Sequence, residues 1–169
     1  VEICGAFSRA DLAVMYGDIQ LNHVVTLDHS GSMNAPGDYT KLQAAKDAAK
    51  LYIDSVSDGD GIGLVQFSGN NSECGDDAAT VGTNKICVAS DAIRSLFKTA
   101  VDTISPDNLT SIGDGLTKAA DLLETPVTSP SAITNNYVLL LSDGMENEEL
   151  YWGQTNTICA APALRDTYP

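Results

Sequence analysis

The sequence has no long hydrophobic run and few basic residues. Its longest unbroken apolar stretch runs from Tyr137 to Leu141, whereas a bilayer-spanning helix needs about 20 such residues, so we expect no membrane insertion by this chain. Lysine and arginine number 9 against 23 aspartates and glutamates, which gives a net charge of −14. A field of that sign repels phosphate backbones and argues against nucleic-acid binding. It favours cationic partners or metal ions, although an acidic excess also serves solubility alone.

The remaining composition is that of a soluble globular domain. The chain has 169 residues, of which 43% are hydrophobic and 19% charged, enough for one domain with its own core. It begins at Val1 rather than Met, and we expect that it has been processed or trimmed. We divide it into an amino-terminal extension, residues 1–21, in which Leu12 to Tyr16 is a possible edge strand, and a main domain, residues 22–169.

The four cysteines form no CxxC pair and have no histidine at zinc-ligand spacing. Cys74 and Cys87 bracket a polar, glycine-rich stretch, and closing such a loop would stabilise the fold by roughly 3 kcal/mol. Of three possible pairings we favour Cys74–Cys87, which leaves Cys4 and Cys159 to join the two ends. This arrangement predicts an oxidising compartment, outside the cell or at its surface. The alternative is four free thiols in a cytosolic protein.

Short apolar runs alternate with amphipathic segments along the chain. Thr40 and Ser90 are plausible N-caps of the first two helices. A third helix is predicted from about Ile112 to Glu124, and its expected inward residues are Ile112, Leu116, Ala119, Ala120 and Leu123. We predict strands at 23–27, 62–67 and 137–141, with a short strand at 86–89 inside an inserted loop, 69–90. Continuously apolar strands that alternate with helices indicate an α/β fold, with a mostly parallel central sheet covered on both faces.

Two of the predicted strands end in an aspartate, Asp28 and Asp143. Asp28 is followed closely by Ser30 and Ser32, and Thr110 precedes the third helix. Because the carboxyl ends of parallel strands meet at one edge of a sheet, we expect these two carboxylates and three hydroxyls to converge there. All are hard oxygen donors, which suit Mg²⁺, Ca²⁺ or Mn²⁺ rather than zinc. Two carboxylates balance a divalent charge and leave a position for water or an outside anionic oxygen.

The segment 23–33 resembles the opening of a von Willebrand factor type A domain. Residues 110–116 and 139–147 are similar to the second and third metal loops of that family, and 60–67 to its second strand. The resemblance implies a three-layer α/β/α, Rossmann-like fold with a metal-ion-dependent adhesion site. Carried over residue by residue, that site consists of Asp28, Ser30, Ser32, Thr110 and Asp143.

In the family, serines and the threonine or one aspartate bind the ion directly, other contacts pass through water, and a partner protein's glutamate or aspartate completes the shell. The resemblance therefore implies metal-dependent protein recognition, as in adhesion, and no enzyme activity. One alternative is a cytoplasmic adaptor in an ATPase or chelatase assembly. Another is metal-assisted hydrolysis with His29 as the candidate base, although we expect His29 to be exposed to solvent.

The chain departs from the family pattern at its carboxyl end. The family usually supplies two more strands and a final helix after the third metal loop, whereas only 25 residues follow Gly144. We therefore expect the carboxyl-terminal strands and helix to be missing or supplied by another segment.

Overall fold

The strands form one mixed sheet in the computed structural model, which describes residues 19–34, 40–69, 78–107, 109–127 and 133–144. The strands are β1 (Ile19–Asp28), β2 (Gly61–Phe67), β3 (Ala78–Thr80), β4 (Cys87–Val88) and β5 (Ile133–Leu141). The order across the sheet is β3-β2-β1-β5, with β4 also paired to β2.

The central strand β1 is parallel to both of its neighbours. It pairs with β2 from Asn22 opposite Gly61 to Asp28 opposite Phe67, and with β5 along the whole length of β5. The short strands β3 and β4 run antiparallel to β2. The mostly parallel sheet predicted from the sequence is therefore confirmed.

The strand β5 begins four residues before the predicted apolar run, at Ile133. Its first half is polar, and the apolar pattern therefore missed it. Asn136 in this half accepts a hydrogen bond of 3.1 Å from Nδ2 of Asn22, which is completely buried in β1. The Asn22 side chain also accepts a bond of 3.1 Å from the backbone N–H of Val127. A buried amide with several partners ties the polar end of β5 to the sheet.

Three α-helices of the described residues cover the sheet: α1 (Lys41–Ser55), α2 (Asp91–Thr103) and α3 (Ile112–Leu123). Alternate residues of β1 point to opposite faces. Val25 and Leu27 belong to one buried cluster with α1 and α2, whereas Val24 belongs to a second cluster with α3. Apolar cores on both faces of the sheet give the α/β fold that the sequence predicts.

The predicted N-caps of α1 and α2 are confirmed. The Thr40 hydroxyl accepts a hydrogen bond of 3.1 Å from the backbone N–H of Gln43. The Ser90 hydroxyl accepts one of 3.4 Å from the backbone N–H of Ile93. Each cap satisfies an N–H group that would otherwise have no partner within its helix.

The inward face of α3 agrees only in part with the prediction. Ala119 is buried, and Ile112 and Leu123 pack against the core, as predicted. Gly115 and Leu122 also face the sheet, whereas Leu116 is 37% exposed and Ala120 is exposed. A Cβ atom built on Gly115 would lie 2.5 Å from Cδ1 of Phe67, so only glycine lets the helix come this close. Counting apolar side chains overlooks a glycine, and the predicted face was therefore rotated towards Leu116.

Part of the inserted loop joins the sheet, since β3 and β4 both pair with β2, and β4 lies within the short strand predicted at 86–89. Cys87 lies in β4 and forms no disulfide with any described residue. Cys4, Cys74, Cys159 and the predicted edge strand at 12–16 lie outside the described residues, so both disulfide pairings stay predictions. Among the described helices, none combines the length and the apolar character needed to span a membrane.

Candidate metal centre

Asp28 is the last residue of β1, at the carboxyl edge of the sheet. Its side chain is completely buried, and Oδ1 accepts a hydrogen bond of 2.8 Å from the backbone N–H of Ser30. Its Oδ2 accepts a hydrogen bond of 2.5 Å from the hydroxyl of Ser142, the first residue after β5. A carboxylate oxygen has two lone pairs, so each oxygen retains acceptor capacity beyond these bonds.

The two predicted serines lie close to Asp28 and Asp143. The Ser30 and Ser32 hydroxyl oxygens are 3.1 Å apart, and the Ser32 hydroxyl donates to Oδ1 of Asp143 at 2.9 Å. Ser30 is 1% exposed, whereas Ser32, in the short 3-10 helix Gly31–Asn34, is exposed. The set of oxygen atoms therefore extends from the buried Asp28 to Ser32 at the protein surface.

Thr110 lies on a third loop, near the same group of oxygen atoms. It is 2% exposed, and a Cβ atom built on Gly144 would lie 3.6 Å from its Oγ1 and 3.8 Å from Oγ of Ser32. Thr110 is not the N-cap of α3, because Ser111 holds that position. The Ser111 hydroxyl donates to the Asp114 carboxylate at 2.8 Å. All five predicted residues thus lie together at one edge.

Asp143 also forms an ion pair with Lys41, the first residue of α1. The ammonium contacts Oδ2, while the Ser32 hydroxyl contacts Oδ1. Burial of Asp143 raises its pKa, but the hydrogen bonds from Lys41 and Ser32 and the charge of Lys41 outweigh burial, so the pKa lies below the ordinary value. The carboxylate is therefore ionised at neutral pH, as a metal ligand must be.

His29 is buried, and the expectation that it is exposed was wrong. It is 8% exposed, and its Nδ1 lies 2.8 Å from the carbonyl oxygen of Ser105. Since a carbonyl oxygen only accepts, Nδ1 carries the hydrogen. The backbone around His29 bonds to neighbouring segments, from its N–H to the Phe67 carbonyl at 3.0 Å and from the Asp107 N–H to its carbonyl at 2.7 Å. These contacts fix the loop that carries Asp28 and Ser30.

The donor set fits a hard divalent cation. Adjacent ligands around Mg²⁺ lie about 2.9 Å apart, given Mg–O bonds of about 2.0–2.1 Å in an octahedron. The measured separations of 3.1 Å between the serine hydroxyls and 2.9 Å between Ser32 and Asp143 are close to that spacing. No cluster of three or more histidine, cysteine or acidic side chains suited to a metal occurs among the described residues. Any ion here therefore depends on hydroxyl oxygens as well as the two carboxylates.

Sequence reasoning missed two residues of this centre, Ser142 and Lys41. Ser142 had a signal, because it stands between a predicted strand and Asp143 and its side chain reaches the Asp28 carboxylate. Lys41 had none, because its contact with Asp143 joins positions 102 residues apart. A contact at that separation follows only from how α1 lies against the edge of the sheet.

The comparison with protein families identifies the class of protein that this fold and edge site define. The model of the von Willebrand factor type A domain matches residues 23–146. The match spans most of the chain, and the protein therefore belongs to the von Willebrand factor type A family. A search of curated proteins finds no significant match.

Solved structures share the fold. A von Willebrand factor type A protein from Catenulispora acidiphila is 28% identical over 70% of this chain and 25% of its own, with a TM-score of 0.54. The pilus adhesin SpaC from Lactobacillus rhamnosus GG is 20% identical over 76% of this chain and 16% of its own, with a TM-score of 0.59. The minor pilin PilB from Streptococcus sanguinis is 20% identical over 75% of this chain and 30% of its own, with a TM-score of 0.56. The chain thus matches less than a third of each protein.

Proposed function

We propose that this domain is a metal-dependent protein-binding module, which captures an aspartate or glutamate side chain of a partner protein. The observation that carries the proposal is the convergence of Asp28, Ser30, Ser32, Thr110 and Asp143 from three separate loops. Mg²⁺ is the preferred ion, with Ca²⁺ or Mn²⁺ as alternatives, and when bound it would supply an electrophilic position for an outside carboxylate oxygen.

The contacts around this centre determine which of its sides is open to solvent. Asp28 is held from below by the Ser30 N–H and the Ser142 hydroxyl, so its carboxylate cannot turn out to solvent. Ser32 is exposed and Asp143 keeps 13% of its side chain exposed, so the open side of the oxygen set faces outward. An open side at the protein surface suits a ligand that arrives on another protein.

The fold relatives support an adhesive role at a cell surface. Two of the structures with this fold are a pilus adhesin and a minor pilin. We extend that setting to this chain as part of the proposal and place the protein outside the cell or at its surface, in line with the predicted disulfides.

Removal of Asp28 tests the proposal. Asp28→Asn keeps an oxygen acceptor for the Ser30 N–H but removes one of two negative charges. We expect the affinity for Mn²⁺, measured by electron paramagnetic resonance, to fall at least about 30-fold, since the loss of a charge roughly 4 Å from a divalent ion costs about 2 kcal/mol even at the dielectric constant of water. Asp28→Ala should lose binding at least as completely.

Asp54→Ala is the matched control, because this aspartate is 51% exposed near the far end of α1. It should bind Mn²⁺ as the unaltered chain does. Far-UV circular dichroism in EDTA should be unchanged, since the fold is built on apolar cores on both sides of the sheet. Equal Mn²⁺ affinities of the Asp28→Asn variant and the unaltered chain would refute the proposal.

Neither alternative function gains support from the contacts. Metal-assisted hydrolysis needs a general base at the site, and the burial of His29 and its bond to Ser105 give it a structural role. A cytoplasmic adaptor predicts four free thiols, which mass measurement with and without reductant would count.

A further inference from the structure

Lys41 places a positive charge inside the oxygen set of the candidate centre. Its ammonium pairs with Oδ2 of Asp143, whose other oxygen accepts the Ser32 hydroxyl bond. The Lys41 side chain is 52% exposed, whereas that of Asp143 is 13% exposed. The lysine therefore reaches in from solvent to an aspartate that is mostly enclosed.

The net charge of the centre includes the positive charge of Lys41. Asp28 and Asp143 carry two negative charges, and Lys41 cancels one of them, so the residues together carry −1. A divalent cation would raise the total to +1, whereas without Lys41 the total would be zero. A net positive centre favours an anionic ligand at the open position over a neutral one.

We propose that Lys41 acts as a built-in competitor of the divalent cation at Asp143, lowering the affinity of the centre for the metal. This inference rests on the proposed metal-binding function and adds a residue that sets its strength. The ammonium stabilises Asp143 when no ion is bound and opposes the ion by its charge when one is. The domain therefore becomes loaded only at higher concentrations of divalent cation than its oxygen ligands alone would require.

Lys41→Met tests this role, because methionine keeps an unbranched side chain and removes the charge. We expect Mn²⁺ to bind on the order of tenfold more tightly, the effect of removing one positive charge roughly 6 Å from a divalent ion in a largely solvated site. Lys41→Arg, which keeps the charge, should leave the affinity within about twofold of the unaltered chain. Binding would be followed by electron paramagnetic resonance on the complete chain.

Lys98→Met is the matched control, with the same substitution and the same change of charge. Lys98 pairs with Asp54 at 2.6 Å, which lies 13 residues along α1 from Lys41, about 20 Å at 1.5 Å per residue. Salt screens a charge at that distance, so its Mn²⁺ affinity should equal that of the unaltered chain.

The outcomes separate this inference from the function on which it rests. Tighter binding by Lys41→Met alone supports the competitor role. Equal or weaker binding by Lys41→Met, or the same gain in Lys98→Met, overturns it while leaving the metal centre intact. A complete lack of Mn²⁺ binding by all four proteins would refute the proposed function itself, and the inference with it.

Discussion

The close approach of α3 to the sheet makes Gly115→Ala a sharp test of the packing. A Cβ atom at this position would lie 2.5 Å from Cδ1, 2.7 Å from Cγ and 3.2 Å from Cβ of Phe67. Ordinary carbon contacts are about 3.5–4.0 Å, so the helix or the ring must move by roughly 1 Å. Phe67 is completely buried, and its ring has no solvent-exposed space to enter.

Two effects of opposite sign decide the magnitude. Overpacking a core costs about 1–3 kcal/mol, whereas replacing a helical glycine by alanine gains about 1 kcal/mol from helix propensity. We therefore expect a net loss of up to about 2 kcal/mol in the free energy of unfolding, measured by urea denaturation. Ala120→Gly, at an exposed position of the same helix, calibrates the propensity effect and should cost about 1 kcal/mol by itself.

The sign of the effect should reverse when the ring is removed. In a Phe67→Ala background the two nearest atoms, Cδ1 and Cγ, are absent, so Gly115→Ala should become stabilising. A gain of about 1 kcal/mol from Gly115→Ala in the unaltered chain would contradict the close approach. Because Thr110 lies just before α3, the displaced helix should also weaken Mn²⁺ binding.

Two further substitutions test polar groups that are buried or partly buried. The Thr26 hydroxyl is buried without a hydrogen-bond partner among the described residues, so Thr26→Val should stabilise the fold by about 1–2 kcal/mol in urea denaturation; a loss of stability would show that the hydroxyl has a partner. Burial, and secondarily the charge of Tyr137, raises the pKa of Tyr52. The contribution of Tyr52 to the free energy of unfolding is therefore fully present below the unfolded-state pKa of about 10, and it is lost as pH rises through the folded-state pKa. Tyr52→Phe should therefore flatten the decline in stability between about pH 9 and 12, and an unchanged decline would refute this assignment.

Local sequence signals predicted most of the fold. The sequence shows the apolar runs that form β1, β2 and β5 and the capping residues Thr40 and Ser90 directly, because these signals act within a few residues. The exceptions have physical causes. The polar first half of β5 is held by the Asn22 side chain from another strand, and the inward face of α3 depends on a glycine that no hydrophobic pattern counts.

The candidate centre was predictable in its residues but not in its supports. Strand ends in a parallel sheet share one edge, so the convergence of Asp28 and Asp143 followed from the order of strands and helices alone. The partners of those aspartates depend on distances between segments. Lys41 reaches Asp143, and the Ser105 carbonyl holds His29, across 102 and 76 residues respectively. Such pairings depend on how the loops pack in three dimensions, and sequence spacing does not record that.

Because β1 lies in the middle of the sheet, both of its neighbouring strands must be synthesised before the sheet can be completed. Asn22 and Asn136 meet across 114 positions of chain, so one edge of β1 has no partner strand until residues 133–141 have been synthesised. Bringing such distant segments together costs loop-closure entropy and slows folding. A nascent chain that emerges amino end first therefore carries Asp28, Ser30, Ser32 and Thr110 before Asp143 follows. The candidate centre is complete only after β5 has joined the sheet.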